Sequence, residues 1–373
     1  MRTSRLTVCL ALLLAACAST PITATSTGPT PTSSVPTPTS SVPTPPTTVP
    51  TPTTRTPRAA GQLPDALIEV NGALMAVQPS GTNPVWTLDR AVASANGAAA
   101  FRVVDNAKLV RYNTATAAPT GEWRLPAGAA WRVAVVDISG SHVVLTDGVV
   151  DGAHRVSSTR LAVWNARSPD SPHVAKLTGT IEPEAVSPDG STVYVLDHRS
   201  TYYRVRAFSV NTGELNDTYG QDKSPPEDMH GEPIRAVPSP DGQMLSTLYR
   251  VPGGSHEPFV HVLHLEQGWS YCADLPQGTY TSMTASLDGR TLYIGATDGS
   301  WLTLNLGAIQ AFAAVPVDVH RASQPPVPLA AGGAFVSERG VVAADSVGVV
   351  WYRDGQPLAR LDQRVDRLIT LAS

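Results

Sequence analysis

Short hydrophobic runs recur along residues 61–373, each following a turn signature of Ser, Asp or Asn, and Gly. Their alternating or β-branched character predicts strands with one buried face. Asp-Gly and Asn-Gly supply the positive φ that tight hairpins need, so each signature predicts the turn between the first and second strands of an antiparallel unit. The signatures contain Gly97, Gly140, Gly190, Gly242, Gly289 and, in a weaker Gly-Gly form, Gly333.

The spacing of the signatures indicates the architecture. Consecutive marker glycines are 43, 50, 52, 47 and 44 residues apart, a period typical of β-propeller blades. Later turns at 211–213, 267–268 and 354–355 fit the connection between third and fourth strands. Each unit is therefore predicted to be a four-stranded antiparallel blade.

The two ends of this region complete one another. Residues 65–89 read as three strands that lack a first strand, and residues 365–371 read as a first strand without a blade. Together with six complete units they predict an all-β, seven-bladed propeller closed by strands from both ends. Such closure removes the unpaired strand edges that promote aggregation.

Three segments resemble a known superfamily: SPDGSTVYVLD (187–197), SPDGQMLSTLY (239–249) and SLDGRTLYIGATDG (286–299). They are similar to blades of the YVTN and WD-repeat-like β-propellers found in bacterial envelope proteins. The resemblance implies the architecture but no single activity, because these propellers include lactonases, cofactor-dependent dehydrogenases, peptidase gates and scaffolds. The chain lacks Trp-Asp dipeptides, so the scaffold role of true WD repeats is not implied.

The N-terminus has the pattern of an export signal. Arg2 and Arg5 precede the apolar run 6–16, which is too short to cross a bilayer as a helix. The run ends in Leu-Ala-Ala before Cys17, which resembles the bacterial lipobox. That resemblance implies cleavage before Cys17, a diacylglyceryl group and an N-acyl chain on this residue, and a lipid-anchored protein on the extracytoplasmic face of the cell membrane. The alternative is an ordinary secretory signal in which Cys17 is incidental.

A stalk is predicted after the lipidation site. Residues 17–60 consist mainly of Thr, Pro and Ser and contain the identical copies 30–36 and 37–43. This composition offers too little apolar surface to fold, so we expect a disordered, semi-extended linker that reaches at most about 130 Å. The predicted organisation is a signal peptide at 1–16, the linker at 17–60 and the propeller at 61–373.

The charge and the cysteine content exclude one class of partner and one kind of covalent framework. All 31 acidic residues follow Ala60, against 23 of the 27 basic ones, so the propeller carries a net charge of about −8. Phosphate backbones need a concentrated positive field, and nucleic acid is therefore not expected as a partner. Cys272 is the one cysteine after the N-terminal region, which excludes a disulfide framework.

Motifs for catalysis are absent from the chain. It contains no Gly-x-Ser-x-Gly, Walker A, Gly-x-Gly-x-x-Gly or His-Glu-x-x-His pattern, and we predict no catalytic residue, metal or cofactor. His261 and His264, three residues apart on a strand, point to opposite faces and are interpreted as packing residues. Cys272 is interpreted as a small buried side chain.

Loop lengths predict a binding face. In propellers, the loops between second and third strands and the links between blades leave the same side. The longest of these, at 147–158, 197–201, 220–232 and 250–258, belong to consecutive blades, and such loops carry function more often than the scaffold does. The alternative is that they are solvated insertions. The candidate binding residues are His154, His198, Arg199, Asp222, Asp228, His230, Arg250, His256 and Glu257.

Two functions remain open. The first is a non-enzymatic, membrane-anchored module that binds or scaffolds a protein or cell-envelope partner. The second is an extracytoplasmic propeller hydrolase or lactonase with a metal in the central channel.

Overall fold

The computed structural model describes residues 65–371, except for residues 80, 82, 149–155, 167–171, 200–201, 221–227, 252–256, 312–316, 322–323, 339, 346 and 364. The signal peptide, Cys17 and the linker predicted from the sequence lie outside the described residues. In the part of the chain that is described, no helix is both long enough and apolar enough to span a membrane.

Eleven strands are described in the first third of the propeller. Their bounds are β1 (Ala66–Val70), β2 (Ala73–Val77), β3 (Trp86–Asp89), β4 (Val92–Ala93), β5 (Ala99–Val104), β6 (Lys108–Asn113), β7 (Pro119–Arg124), β8 (Arg132–Val136), β9 (His142–Thr146), β10 (Ser158–Asn165) and β11 (His173–Thr178).

Nine strands are described in the middle third. Their bounds are β12 (Thr180–Val186), β13 (Thr192–His198), β14 (Tyr203–Ser209), β15 (Leu215–Asp217), β16 (Tyr219–Gly220), β17 (Glu232–Pro238), β18 (Met244–Arg250), β19 (Phe259–His264) and β20 (Trp269–Asp274).

The last third contains a short helix between its strands. The bounds are β21 (Tyr280–Ala285), β22 (Thr291–Ala296), β23 (Trp301–Asn305), α1 (Leu306–Gln310), β24 (Val317–His320), β25 (Gly333–Ser337), β26 (Gly340–Ala344), β27 (Val349–Arg353), β28 (Gln356–Leu361) and β29 (Arg367–Leu371).

These strands form seven sheets, which we number as blades 1 to 7. From first to fourth strand, the blades are β29-β1-β2-β3, β4-β5-β6-β7, β8-β9-β10-β11, β12-β13-β14-β15, β17-β18-β19-β20, β21-β22-β23-β24 and β25-β26-β27-β28. Strand β16 adds a short parallel edge to blade 5. First strands of neighbouring blades contact one another, as β8 does β12 and β21 does β25, so they surround the axis. The seven-bladed propeller is confirmed.

The ring is closed as predicted. Strand β29 pairs antiparallel with β1, and Leu368 lies opposite Ile68. Both side chains are buried in the cluster between blades 7 and 1, which also includes Trp351. Similar apolar clusters fill other blade interfaces, so the core lies between the sheets.

The Ser-Pro-Asp-Gly turns owe their shape to side-chain hydrogen bonds. In the turn between β12 and β13, the Ser187 hydroxyl donates to Asp189 Oδ1 at 2.6 Å and accepts from the Thr192 N–H at 2.9 Å. The Ser239 and Ser286 turns repeat both bonds. These local bonds explain why the turn chemistry identified the hairpins correctly.

One turn prediction is wrong. Gly332-Gly333 precedes and begins β25, the first strand of blade 7, rather than joining the first and second strands. The segment 334–336 therefore belongs to the first strand. Gly333 has φ 108° and lies against the side chain of Arg235, which extends from the first strand of blade 5. Glycine is needed at position 333 for this close approach. The spacing of glycines along the sequence cannot distinguish a glycine needed for such a contact from one needed for a hairpin turn.

Candidate binding face

Two kinds of connection leave the propeller at the same end. Because neighbouring strands run in opposite directions, the links between second and third strands emerge where one blade passes to the next. We call this end the loop face. It carries the connections that the sequence analysis selected.

The structure describes six of the nine predicted binding residues. His154, Asp222 and His256 lie outside the described residues. The six that are described are His198, Arg199, Asp228, His230, Arg250 and Glu257. All six lie at the loop face of blades 4 and 5, because each is at a strand end or in a connection on that side.

The described end of the link between blades 4 and 5, residues 228–230, lies against blade 4. Tyr203 and Met229 exchange backbone hydrogen bonds of 3.1 and 2.9 Å, which places Asp228 and His230 beside the start of β14. Asp228 Oδ1 accepts a hydrogen bond of 2.5 Å from Arg204 Nε. The exposed His230 ring lies 6.1 Å from the Tyr202 ring, between centroids.

The end of β13 lies next to this link. His198 Nε2 is 3.0 Å from Glu182 Oε2, and its ring centroid is 5.9 Å from that of Tyr203. Arg199 Nη2 donates to the buried carboxylate of Asp197 at 2.5 Å. The fold thus brings His198, Arg199, Asp228 and His230 together in one patch of ion pairs and aromatic rings.

Arg250 and Glu257 lie farther along the same face. Arg250 Nη2 pairs with Glu232 Oε2 at 2.5 Å, with both side chains more than half exposed. An exposed pair of this kind is worth at most about 1 kcal/mol, so Arg250 is readily available to a partner. Among the described residues, no group of three or more His, Cys, Asp or Glu side chains is placed to hold a metal ion.

A buried carboxyl lies in the interface of blades 4 and 5. Glu184 is an extra residue in β12, where the register with β13 shifts between Pro183 and Ala185. Its Oε1 accepts from Thr247 Oγ1 at 3.1 Å, and its Oε2 is buried without a hydrogen-bond partner. Burial raises the pKa of Glu184 to about 7, opposed by the hydrogen bond from Thr247 and assisted by the charge of Glu182.

Two tyrosines occupy the same interface. The Tyr203 and Tyr249 rings stack at 5.9 Å, and each hydroxyl is buried without a hydrogen bond of ordinary geometry. Burial raises the pKa of both phenols, and the Glu184 charge adds to this. Both are therefore neutral at physiological pH.

His261 and His264 are both buried, as the packing interpretation requires. His261 pairs with Thr247 and with Cys272 across the sheet, and burial lowers its pKa to about 4. The His264 ring packs 5.0 Å from that of Trp269. Cys272 is half-buried against the cluster between blades 4 and 5.

Sequence reasoning missed a cleft on another sector of the loop face. The cleft has a volume of about 750 Å³ and lies where blades 1, 2 and 3 meet. Arg90, Arg102 and Arg132 line it, one from each of three successive blades or links. The Asn-Gly turn at 71–72 and the Asp-Asn turn at 105–106 were the available signal, because both mark this side of the sheet.

Comparisons with known proteins support the fold. No protein-family model matches the chain, and no curated protein matches its sequence. A functionally unknown protein from Desulfotomaculum acetoxidans DSM 771 has a similar structure, with a TM-score of 0.50, 8% identity, and 83% of this chain and 99% of that one covered. The β-propeller domain of Myceliophteria thermophila Cps50 (Swd1) matches with a TM-score of 0.43 and 10% identity, covering 74% of this chain and 86% of that one. At such identities the likeness concerns the fold alone, and the class of protein is a seven-bladed β-propeller.

Proposed function

We propose that this propeller is a membrane-anchored extracytoplasmic module that binds or scaffolds a protein or cell-envelope partner through its loop face. The proposal includes the lipobox-type anchor at Cys17, the linker at 17–60 as a spacer, and membership of the YVTN-like envelope propellers. The sequence patterns support these three parts.

The observation that carries the binding role is the composition of the loop face on blades 4 and 5. His198, Arg199, Asp228 and His230 lie within one patch, held by short side-chain hydrogen bonds and by the backbone pairing of Tyr203 with Met229. Preorganised charged and aromatic side chains on a rigid scaffold lower the ordering cost of association. Such a patch suits recognition of a surface.

Site-specific photocrosslinking in cells tests this role. A photoreactive residue replaces His230 in the full-length chain, and Thr212, exposed in the turn between β14 and β15 at the opposite end of the same blade, is the matched control position. We expect a specific adduct from position 230 and none from position 212. Adducts from position 212 alone would assign the contact to the opposite face and refute the proposal.

The anchor is tested separately. Cys17→Ser is expected to release the protein from the membrane fraction, whereas Cys9→Ser, within the apolar run, leaves it there. Mass spectrometry of the mature N-terminus checks for a lipidated Cys17. Membrane retention of Cys17→Ser would refute lipid anchoring but would leave the binding role standing.

Metal analysis of the purified full-length protein distinguishes the hydrolase alternative. A stoichiometric divalent metal, with a thermal shift on its removal, would favour an enzyme over a binding module.

A further inference from the structure

The cleft at blades 1, 2 and 3 has the form of a ligand site. Its volume of about 750 Å³ lies within the range of about 300–1,000 Å³ that is usual for small-molecule pockets. Trp131, which is buried, and residues 71–73 also line it. The lining therefore combines a buried aromatic residue with charged residues.

Two of its arginines are available to a ligand. In the described part of the chain, neither the Arg90 nor the Arg102 guanidinium makes a hydrogen bond or an ion pair. The guanidinium of Arg132, by contrast, already has a hydrogen-bond partner, because its Nε and Nη2 donate to the Gly148 carbonyl at 3.0 and 2.8 Å. Arg132 thus adds a fixed positive charge beside two unengaged guanidinium groups.

The two aspartates of the cleft do not neutralise the arginine charges through direct ion pairs. Asp89 and Asp105 also line it, yet neither makes an ion pair with a described arginine. Asp105 instead interacts electrostatically with Lys108. The Nζ of Lys108 also lies 2.6 Å from Glu122 Oε1. On a domain with a net charge of about −8, three arginines in one cleft are a local positive site.

The backbone around the cleft is unusual. Among the described residues, six other than glycine have positive φ, and four of them line the cleft: Asn71, Arg90, Asp105 and Asn106. Asn and Asp tolerate this region, but an arginine at φ 54° does so at a cost. Glycine would fit the backbone conformation at position 90 better, so local conformational preference does not account for an arginine there. Strained residues of this kind are common at functional sites.

We propose that this cleft binds an oxyanion, a carboxylate or phosphate group, of a small ligand or of one unit of the envelope partner. The inference rests on the proposed binding function and specifies its ligand chemistry. Arg90 and Arg102 contact the oxyanion through their guanidinium forks, which match both groups in a bidentate geometry. Arg132 contributes charge from its fixed position.

Isothermal titration of the full-length protein in detergent with citrate and with inorganic phosphate tests the proposal. The two probes distinguish a carboxylate site from a phosphate site, and mannitol is the neutral control. We expect one anion to bind and the affinity to fall at least tenfold in Arg102→Gln. Arg111→Gln, a half-buried arginine of the same blade outside the cleft, is expected to bind like the wild type.

Arg90→Gly separates binding from folding. This variant is expected to lose anion binding to the same extent while its melting temperature stays equal to or rises above that of the wild type. Failure of both anions to bind the wild type, or equal losses in Arg111→Gln and Arg102→Gln, would overturn the inference. If the inference is overturned but crosslinking at position 230 persists, the proposed binding function survives. Crosslinks only from position 212 would refute that function whatever the titration shows.

Discussion

Thr247 on blade 5 donates a hydrogen bond of 3.1 Å to Oε1 of Glu184 on blade 4 and thereby links two blades through a buried carboxyl. The other oxygen, Oε2, is buried without a hydrogen-bond partner. A carboxylate in this position lacks compensation, whereas a carboxylic acid avoids the cost of a buried charge. The protonation state of Glu184 therefore affects the stability of the propeller.

Glu184→Gln is expected to stabilise the protein at alkaline pH. The pKa of Glu184 rises from 4.5 to about 7 on folding, so the folded state holds this proton more tightly and its stability falls as the pH rises between those values. The gain from Gln should be small below pH 4.5 and reach about 3 kcal/mol above pH 7. Urea unfolding at pH 5 and pH 8 checks this. Glu257→Gln, at an exposed site, is the control, and a gain that is equal at both pH values would contradict the assignment.

His261 should produce the opposite pH dependence. Burial lowers its pKa from 6.5 to about 4, so the unfolded chain binds this proton more readily and stability falls as the pH drops from 6.5 to 4. The loss from this group is about 3 kcal/mol. In His261→Leu the free energy of unfolding should decline less over this range than in the wild type, as measured by urea unfolding. Parallel profiles for the wild type and His261→Leu would show that His261 does not titrate as stated.

Gly242→Ala is expected to destabilise more than Gly213→Ala. Both glycines have φ near +72°, at 71° and 73°, so each substitution carries the left-handed penalty of about 1–2 kcal/mol. A Cβ at position 213 meets open space, whereas at position 242 it overlaps the side chain of Ile138 in the turn of blade 3. Overpacking adds about 1–3 kcal/mol. Equal losses in chemical denaturation would mean that the turns of blades 5 and 3 do not pack against each other as described.

Leu368→Ala is expected to weaken ring closure. Leu368 on β29 is 2% exposed, and truncation of a buried leucine costs about 2–5 kcal/mol. Leu287→Ala, at a residue 48% exposed, should change stability by less than about 0.5 kcal/mol. Thermal and urea unfolding provide the comparison. If both variants behave alike, β29 does not contribute to the closed ring.

The candidate site was only partly predictable. The sequence selected the loops that carry His198, Arg199, Asp228 and His230, because loop length and turn chemistry are local properties. It could not reveal that Tyr203 pairs with Met229 and so brings those loops together. It also missed the arginine cleft, whose three guanidinium groups come from three successive blades or links.

The sequence alone determined the blade count, the closing strand and the hairpins other than the first one of blade 7. Serine, aspartate and glycine fix each turn through neighbours a few residues away, and the period between turns follows directly from that. The tertiary structure decided how the blades face one another. It placed Glu184 against Thr247, 63 residues farther along the chain, and Gly333 against Arg235, because contacts between blades depend on the geometry of the closed ring.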